Sequence, residues 1–274
     1  GFGDARREAQ GFVSAIRGFA AIVAATGAAL ALGAAIDRDL GGKGRGLAFI
    51  NSLLNAYEIE DRIERVHITV PQTAVVATDV FDRFMRETGL SDFALSEPDD
   101  AKIREAFLSA RLPTGTHDEL RAFLTRVHYP LAVRSSSLFE DSSFQPFAGI
   151  YQTYMIPNQD DDTEVRLEEL CRAIRLVYAS TYSSDSKSYI ESTPNRLEEE
   201  KMAVVIQEVA GCRHEDYVYP DFAGVARSYD FYPVKGMSPE DGVASVALGL
   251  GRTVVDGGRC VRFSPAQPGR LYQF

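Results

Sequence analysis

Apolar positions recur along most of this chain at helical spacing, each stripe backed by a polar opposite face. Val80, Phe81, Phe84 and Met85 form one stripe, Ile103, Ala106, Phe107 and Ala110 a second, and Leu120, Phe123, Leu124 and Val127 a third. A stripe of that period is a helix burying one side. A further helix carries Leu167, Leu170, Cys171, Ile174, Val177 and Tyr178, with Asp160, Asp161, Asp162 and Glu164 just before it. Carboxylates suit a first helical turn because the helix dipole is positive there, so this run reads as a helix start and not as a metal site. Continuous apolar runs at 131–134, 203–209 and 243–250 read as strands, the last two buried. Ile68, Val70 and Pro71 suggest a short strand entering a turn, and 183–200 is polar enough for a surface loop or frayed helix. After a glycine-rich opening, Leu47, Ile50, Leu54 and Tyr57 mark one more helix face. Helices and strands mixed with short connections, and no internal repeat, predict a mixed domain of helices and strands.

Residues 18–36 depart from this pattern: 19 uncharged positions, nine of them Ala and three Gly. That length reaches what a membrane span needs. Ala adds little transfer free energy, however, and Thr26 interrupts the run. Ala20, Ala24 and Ala28 recur at helical spacing, where small residues let another helix approach closely. The stretch is therefore read as an Ala-rich helix, buried or facing a partner, within an N-terminal extension over 1–38. It does not read as a signal peptide, because Arg6, Arg7, Glu8 and Arg17 precede it without a small-residue cleavage pattern.

Composition narrows the function. Of 274 residues, 45% are hydrophobic and 25% charged, which is globular and excludes wholesale disorder. With 39 acidic and 29 basic residues the net charge is -10, so a general nucleic-acid binder is disfavoured and any anionic ligand needs a local cluster of cations. Cys171, Cys212 and Cys260 form no CxxC pair, which argues against a disulfide framework or a zinc knuckle and for a reducing cytoplasm. Opening on Gly1 and closing on Phe274, the sequence reads as a piece of a longer chain.

Two segments offer cations to a phosphate. In Gly41-Gly42-Lys43-Gly44-Arg45-Gly46, glycines let backbone N–H groups close on an anion while Lys43 supplies a full charge. The spacing is neither a Walker A loop nor GxGxxG, and a tight turn with an incidental lysine reads equally well. In Val133-Arg134-Ser135-Ser136-Ser137 an arginine ends an apolar strand beside three hydroxyls, a guanidinium fork for phosphate or the partner of Glu140 or Asp141. Residues 143–154 place Ala148-Gly149 among aromatics, as a lid or as a hairpin. Val205 to Val209 end in the polar pair Gln207-Glu208, suited to an adenine edge, and Gly249-Leu250-Gly251-Arg252 joins a strand to a turn. His67, His117, His128 and His214 make no triad or metal cluster, so core or turn roles are expected.

Taken in order, LGGKGRGLAF (40–49), PLAVRSSSLFEDSSFQPFAGIYQTY (130–154), EKMAVVIQEVAG (200–211), FAGVARSYDFYP (222–233) and VALGLGRTVVDGG (246–258) resemble the nucleotide-binding domain of the pyruvate phosphate dikinase and phosphoenolpyruvate synthase family, from about Asp39 to Pro265. The resemblance implies an ATP-grasp fold over 39–274, with ATP between two α+β subdomains. It makes Lys43 and Arg134 the catalytic phosphate contacts, with Gly42, Gly44 and Ser135 beside them. Ala148 and Gly149 would cover the phosphates, and Gln207, Glu208 and Val209 would lie along the adenine. It further implies a phosphotransferase that passes a phosphoryl group from MgATP to a histidine on another domain, toward phosphoenolpyruvate from pyruvate. No histidine here has the surroundings of that relay residue. Acidic residues that help such domains hold Mg2+ are replaced by Ser245 and Arg252, which leaves Asp230 as the candidate metal ligand and Arg252 as a further phosphate contact. The alternative is a non-catalytic nucleotide- or partner-binding module with a degenerate metal site. A membrane-tethered sensor using 18–36 ranks last.

Overall fold

The computed structural model describes residues 31–32, 40–58, 63–137, 150–193, 196–255 and 257–271. The chain divides into two units, Gly1–Glu208 and Val209–Phe274. No helix among the described residues is long and apolar enough to cross a membrane. Most of the Ala-rich stretch lies outside the described residues. Its described pair, Ala31–Leu32, is a two-residue strand and not helix.

The first unit is built on a five-stranded sheet. Strands β1 (Ala31–Leu32), β2 (Thr73–Val76), β3 (Leu131–Ser137), β4 (Thr153–Ile156) and β5 (Met202–Glu208) lie in the order β1-β2-β5-β3-β4. All neighbours are antiparallel except β1 and β2. Central β5 has a covered face on either side, which is why AVVI reads as an unbroken apolar run. The strand expected at Ile68 to Pro71 lies further on, at Thr73–Val76. Pro71 has no N–H for a ladder, so pairing starts beyond it.

Helix α1 (Gly41–Ala56) is laid against one face of this sheet, where Leu40 and Leu47 meet Val75, Ala203 and Val205. The glycine-rich run is thus the first turns of the helix itself, not a loop before it. Its buried residues are Gly41, Gly42 and Gly44, while Ile50 and Tyr57 are exposed, so α1 docks through its glycines more than through its apolar stripe.

The other face carries the main core, under α2 (Thr78–Thr88), α3 (Ser91–Ser96), α4 (Asp100–Ser109), α5 (Thr116–Leu124), α6 (Thr163–Ser180) and α7 (Ser184–Glu191). The stripes of α2, α5 and α6 are buried as their spacing predicts, with Val127 buried just past the end of α5, while that of α4 is buried at Ile103 and Phe107 and half-buried at Ala106 and Ala110. Phe81, Phe84 and Phe107 surround Tyr178 and Tyr182 with ring centroids 5.0 to 5.9 Å apart. Asp162 caps α6 by accepting from the Glu164 N–H at 2.8 Å, so the acidic run is a helix start. Two arginines of α6 reach back to close its neighbours. Arg166 donates to Leu124 O and Val127 O past α5, and Arg175 donates to Leu108 O and Ala110 O past α4. Carbonyls at and just past a helix end lack an intrahelical donor, and Arg175 also pairs with the Glu168 carboxylate at 2.5 Å, which accounts for two buried cations in an apolar core. Of the surface loop or frayed helix expected over 183–200, the structure has helix, α7, and a 3-10 turn at Leu197–Glu199.

The second unit has a hairpin of β6 (Cys212–His214) and β7 (Tyr217–Tyr219) and an antiparallel sheet ordered β11-β10-β9-β8, from β8 (Phe222–Arg227), β9 (Val243–Leu248), β10 (Val261–Ser264) and β11 (Gln267–Leu271). Helix α8 (Arg252–Val255) follows β9. The run 243–250 is a strand only to Leu248 and is buried only at its start, at Val243 and Ala244. One face of this sheet presents Phe222, Val246 and Leu248 in register, with Leu248 90% exposed.

Candidate functional site

In the first unit the two cationic segments meet on β3. β4 pairs with β3 as far as Arg134, and one residue further the Ser135 carbonyl accepts from Lys43 Nζ at 3.0 Å, with Ser135 Oγ at 3.4 Å. Ser136 Oγ accepts the Gly44 N–H at 3.1 Å and donates to Leu40 O at 2.9 Å, so a serine of β3 caps the start of α1. That close approach requires glycine. Gly41 has φ +64°, and a Cβ there would lie 1.9 Å from Ser136 O. Arg134 is half-buried, and its Nη1 donates to Gln207 Oε1 at 3.2 Å. Two positive groups distant in sequence, Lys43 and Arg134, are therefore held on consecutive residues of one strand beside a helix N-terminus. Such an arrangement suits a phosphate. The Gly44 N–H, expected as a phosphate donor, is engaged by Ser136.

Glu208 closes β5 by donating its N–H to Gln72 O at 2.8 Å, while its carboxylate accepts the Gln72 N–H at 3.4 Å. Gln207 Nε2 donates to Thr73 Oγ1 at 3.1 Å, so both ends of the Gln207 amide are occupied. Val209 follows the strand, half-buried. The Tyr129 phenol nearby donates to Gln72 Oε1 at 3.1 Å, and burial, with the Glu208 charge second, raises it above the ordinary tyrosine value.

In the second unit a cavity of about 430 Å3 is lined by Arg227, Tyr229, Asp230, Tyr232, Ser245 and Arg262 among others. Asp230 is 3% exposed, and its Oδ1 accepts from Arg262 Nη2 and from the Tyr232 N–H, each at 3.1 Å. Arg252 begins α8. Among the described residues no group of three or more His, Cys, Asp and Glu could hold a metal ion. His117 approaches Cys171 at 3.8 Å, and His214 stacks on Tyr219 with centroids 4.0 Å apart. His67 is outside any strand and His128 is on the surface. Ala148 and Gly149 lie outside the described residues.

Residues 38–268 match the family described as pyruvate phosphate dikinase, AMP/ATP-binding domain. The chain belongs to that family. A phosphotransferase of Bacillus subtilis (strain 168), named as uncharacterized phosphotransferase YvkC, is 30% identical over 197 residues, covering 69% of this chain and 20% of its own. The phosphoenolpyruvate synthase of Aeropyrum pernix is 26% identical over 211 residues, 69% of this chain and 24% of its own. The chain thus spans a quarter or less of the length of these relatives. As a pyruvate phosphate dikinase-type AMP/ATP-binding domain it is a nucleotide-binding domain of a phosphotransferase family, and its mixed helices and antiparallel sheets are compatible with that class.

Among the residues that shape the pyruvate phosphate dikinase-type domain here, Thr73 and Gln72 were not expected, and Ser136 was expected only as a hydroxyl beside Arg134, not as the cap of α1. Ser136 had a signal: two residues after Arg134, it shares a strand face with it. Thr73 and Gln72 had none, because the strand containing Thr73 was expected elsewhere.

Proposed function

We propose that this chain binds ATP for phosphoryl transfer to a histidine carried on another domain, on the way from pyruvate to phosphoenolpyruvate, with the ATP-grasp arrangement of its family. Lys43 and Arg134, with Gly42 and Ser135 beside them, meet the phosphates. The backbone of Gln207, Glu208 and Val209 runs along the adenine. Ala148 and Gly149 as cover, and Arg252 as a further phosphate contact, rest on the family motifs alone. The observation that carries the reading is the anchoring of Lys43 and Arg134 on neighbouring residues of β3 at the start of α1. Phosphoryl transfer asks a protein mainly for positioning and charge neutralisation, and two fixed cations supply both. Calorimetric titration tests it. The parent chain takes up ATP, and Lys43→Ala and Arg134→Ala each weaken it by about 1 to 3 kcal/mol, the range for one charge-assisted contact. Two variants that bind like the parent would remove the phosphate assignment.

Magnesium, when bound, would supply positive charge to neutralise the phosphates. Asp230 is the candidate ligand by motif position, yet its carboxylate is committed to Arg262 and to the Tyr232 N–H. A guanidinium already neutralising an acid competes with a cation for it, so Asp230 fits a magnesium ligand poorly while that pair is made. This favours the second reading, a nucleotide-binding module with a degenerate metal site.

A further inference from the structure

We propose that Thr73 is a positioning residue for the phosphate contact of Arg134, acting through the side-chain amide of Gln207. The inference rests on the ATP reading above and adds a residue that lies outside every family motif in the chain. Strand register brings the three together. Thr73 is opposite Gln207 across β2 and β5, and Gln207 is opposite Ala132 across β5 and β3, two residues from Arg134 on the same face. The hydrogen bonds then run in one direction only. Thr73 Oγ1 donates its single proton to Pro71 O at 2.8 Å, so toward Gln207 it can only accept. Gln207 must turn its Nε2 to Thr73, at 3.1 Å, and its Oε1 to Arg134, at 3.2 Å. Arginine has donors and no acceptor, so the reverse amide orientation would set donor against donor.

Gln207 is 8% exposed, and little water is at hand to replace a lost partner. Without the Thr73 hydroxyl, Nε2 loses its acceptor and the amide is free to turn away from Arg134. The guanidinium then has to be ordered by the phosphate itself, and the cost of that ordering appears as weaker binding.

The test compares Thr73→Val, which keeps the branched shape and removes the hydroxyl, with Thr73→Ser, which keeps the hydroxyl. Probes are ATP, inorganic tripolyphosphate and adenosine, titrated calorimetrically or by NMR shifts. Thr73→Val weakens ATP and tripolyphosphate by about three- to tenfold and leaves adenosine unchanged, while Thr73→Ser stays within about twofold of the parent. On an Arg134→Ala background, Thr73→Val changes nothing further, because the residue through which it acts is gone. An equal further loss on that background, an equal loss for adenosine, or a serine variant as weak as valine would overturn the proposal as a purely structural effect. A parent chain that takes up no ATP overturns the ATP reading and this proposal together. A parent that binds and a Thr73→Val variant that binds equally well removes Thr73 alone.

Discussion

The two units use apolar residues in opposite ways. In the first, both sheet faces are covered, and Phe84, Phe107, Leu131 and Ile174 are fully buried. In the second, Phe222, Phe231, Tyr232, Leu248 and Val255 are 66 to 90% exposed. The contrast shows where polar chemistry can be held still. Arg134 and Gln207 stand on strands fixed from both sides, and Lys43 reaches β3 from helix α1, whereas Arg227 ends β8, and Asp230 lies just past it, in a unit whose small sheet has one apolar face in the open. A preorganised contact needs a supporting shell, and here the first unit has it.

The sharpest way to break the comparison is to truncate one side chain in each unit. Phe107→Ala is expected to destabilise the first unit by about 3 to 5 kcal/mol, the loss for emptying an aromatic site in a closed core. Leu248→Ala is expected to change stability by no more than about 0.5 kcal/mol, because its side chain is already in water. Urea unfolding of both variants measures this. Similar losses would mean that Leu248 is covered in solution.

The same contrast explains what could be read from sequence. The stripes of α2, α4, α5 and α6 were legible because each buries a contiguous face, and β5 because it is apolar on both. Position 73 was not, since a four-residue strand after a proline is too short for its alternation to stand out. Gly41 to Gly46 read as a turn because glycine lowers helix propensity, yet the run begins a helix, and at Gly41 only glycine fits against Ser136. In the second unit apolar residues also line a face open to solvent, so 243–250 looked more buried than it is. For the site, Lys43 and Arg134 were legible as cations in sequence. Their meeting on β3 was not, because a long-range strand register is invisible until the fold is known.

Thiol chemistry sharpens the comparison next. Cys171, in the first unit, is buried, and burial together with the Glu168 charge pushes its thiol up to about 12; Cys212, in the second, is exposed. The thiolate is the reactive form, so a raised value keeps Cys171 protonated and inert until the pH nears that value. Iodoacetamide at pH 8 followed by peptide mass mapping should label Cys212 faster than Cys171 by about a hundredfold or more. Urea at the unfolding midpoint should erase the difference. Comparable rates in buffer would show that the first unit opens far more readily than its packing implies.

The smallest expected effect on ligand binding is at Asp230, and it decides between the two functional readings. Asparagine keeps an acceptor for the Tyr232 N–H and for Arg262 but removes the charge that pairs with the guanidinium, so the second unit should lose about 1 kcal/mol of stability. If Asp230 serves that pair, Asp230→Asn weakens ATP by the same small factor, within about threefold, whether Mg2+ or EDTA is present. A ligand behaves differently: its loss is felt only when the ion is there, because without the ion the carboxylate repels the phosphates and its removal helps. The pairing with Arg262 leads us to expect equal effects in the two buffers, as the degenerate-site reading requires. A loss confined to Mg2+ would instead make Asp230 a metal ligand, with Arg262 released when nucleotide arrives, and would restore the catalytic reading to the second unit.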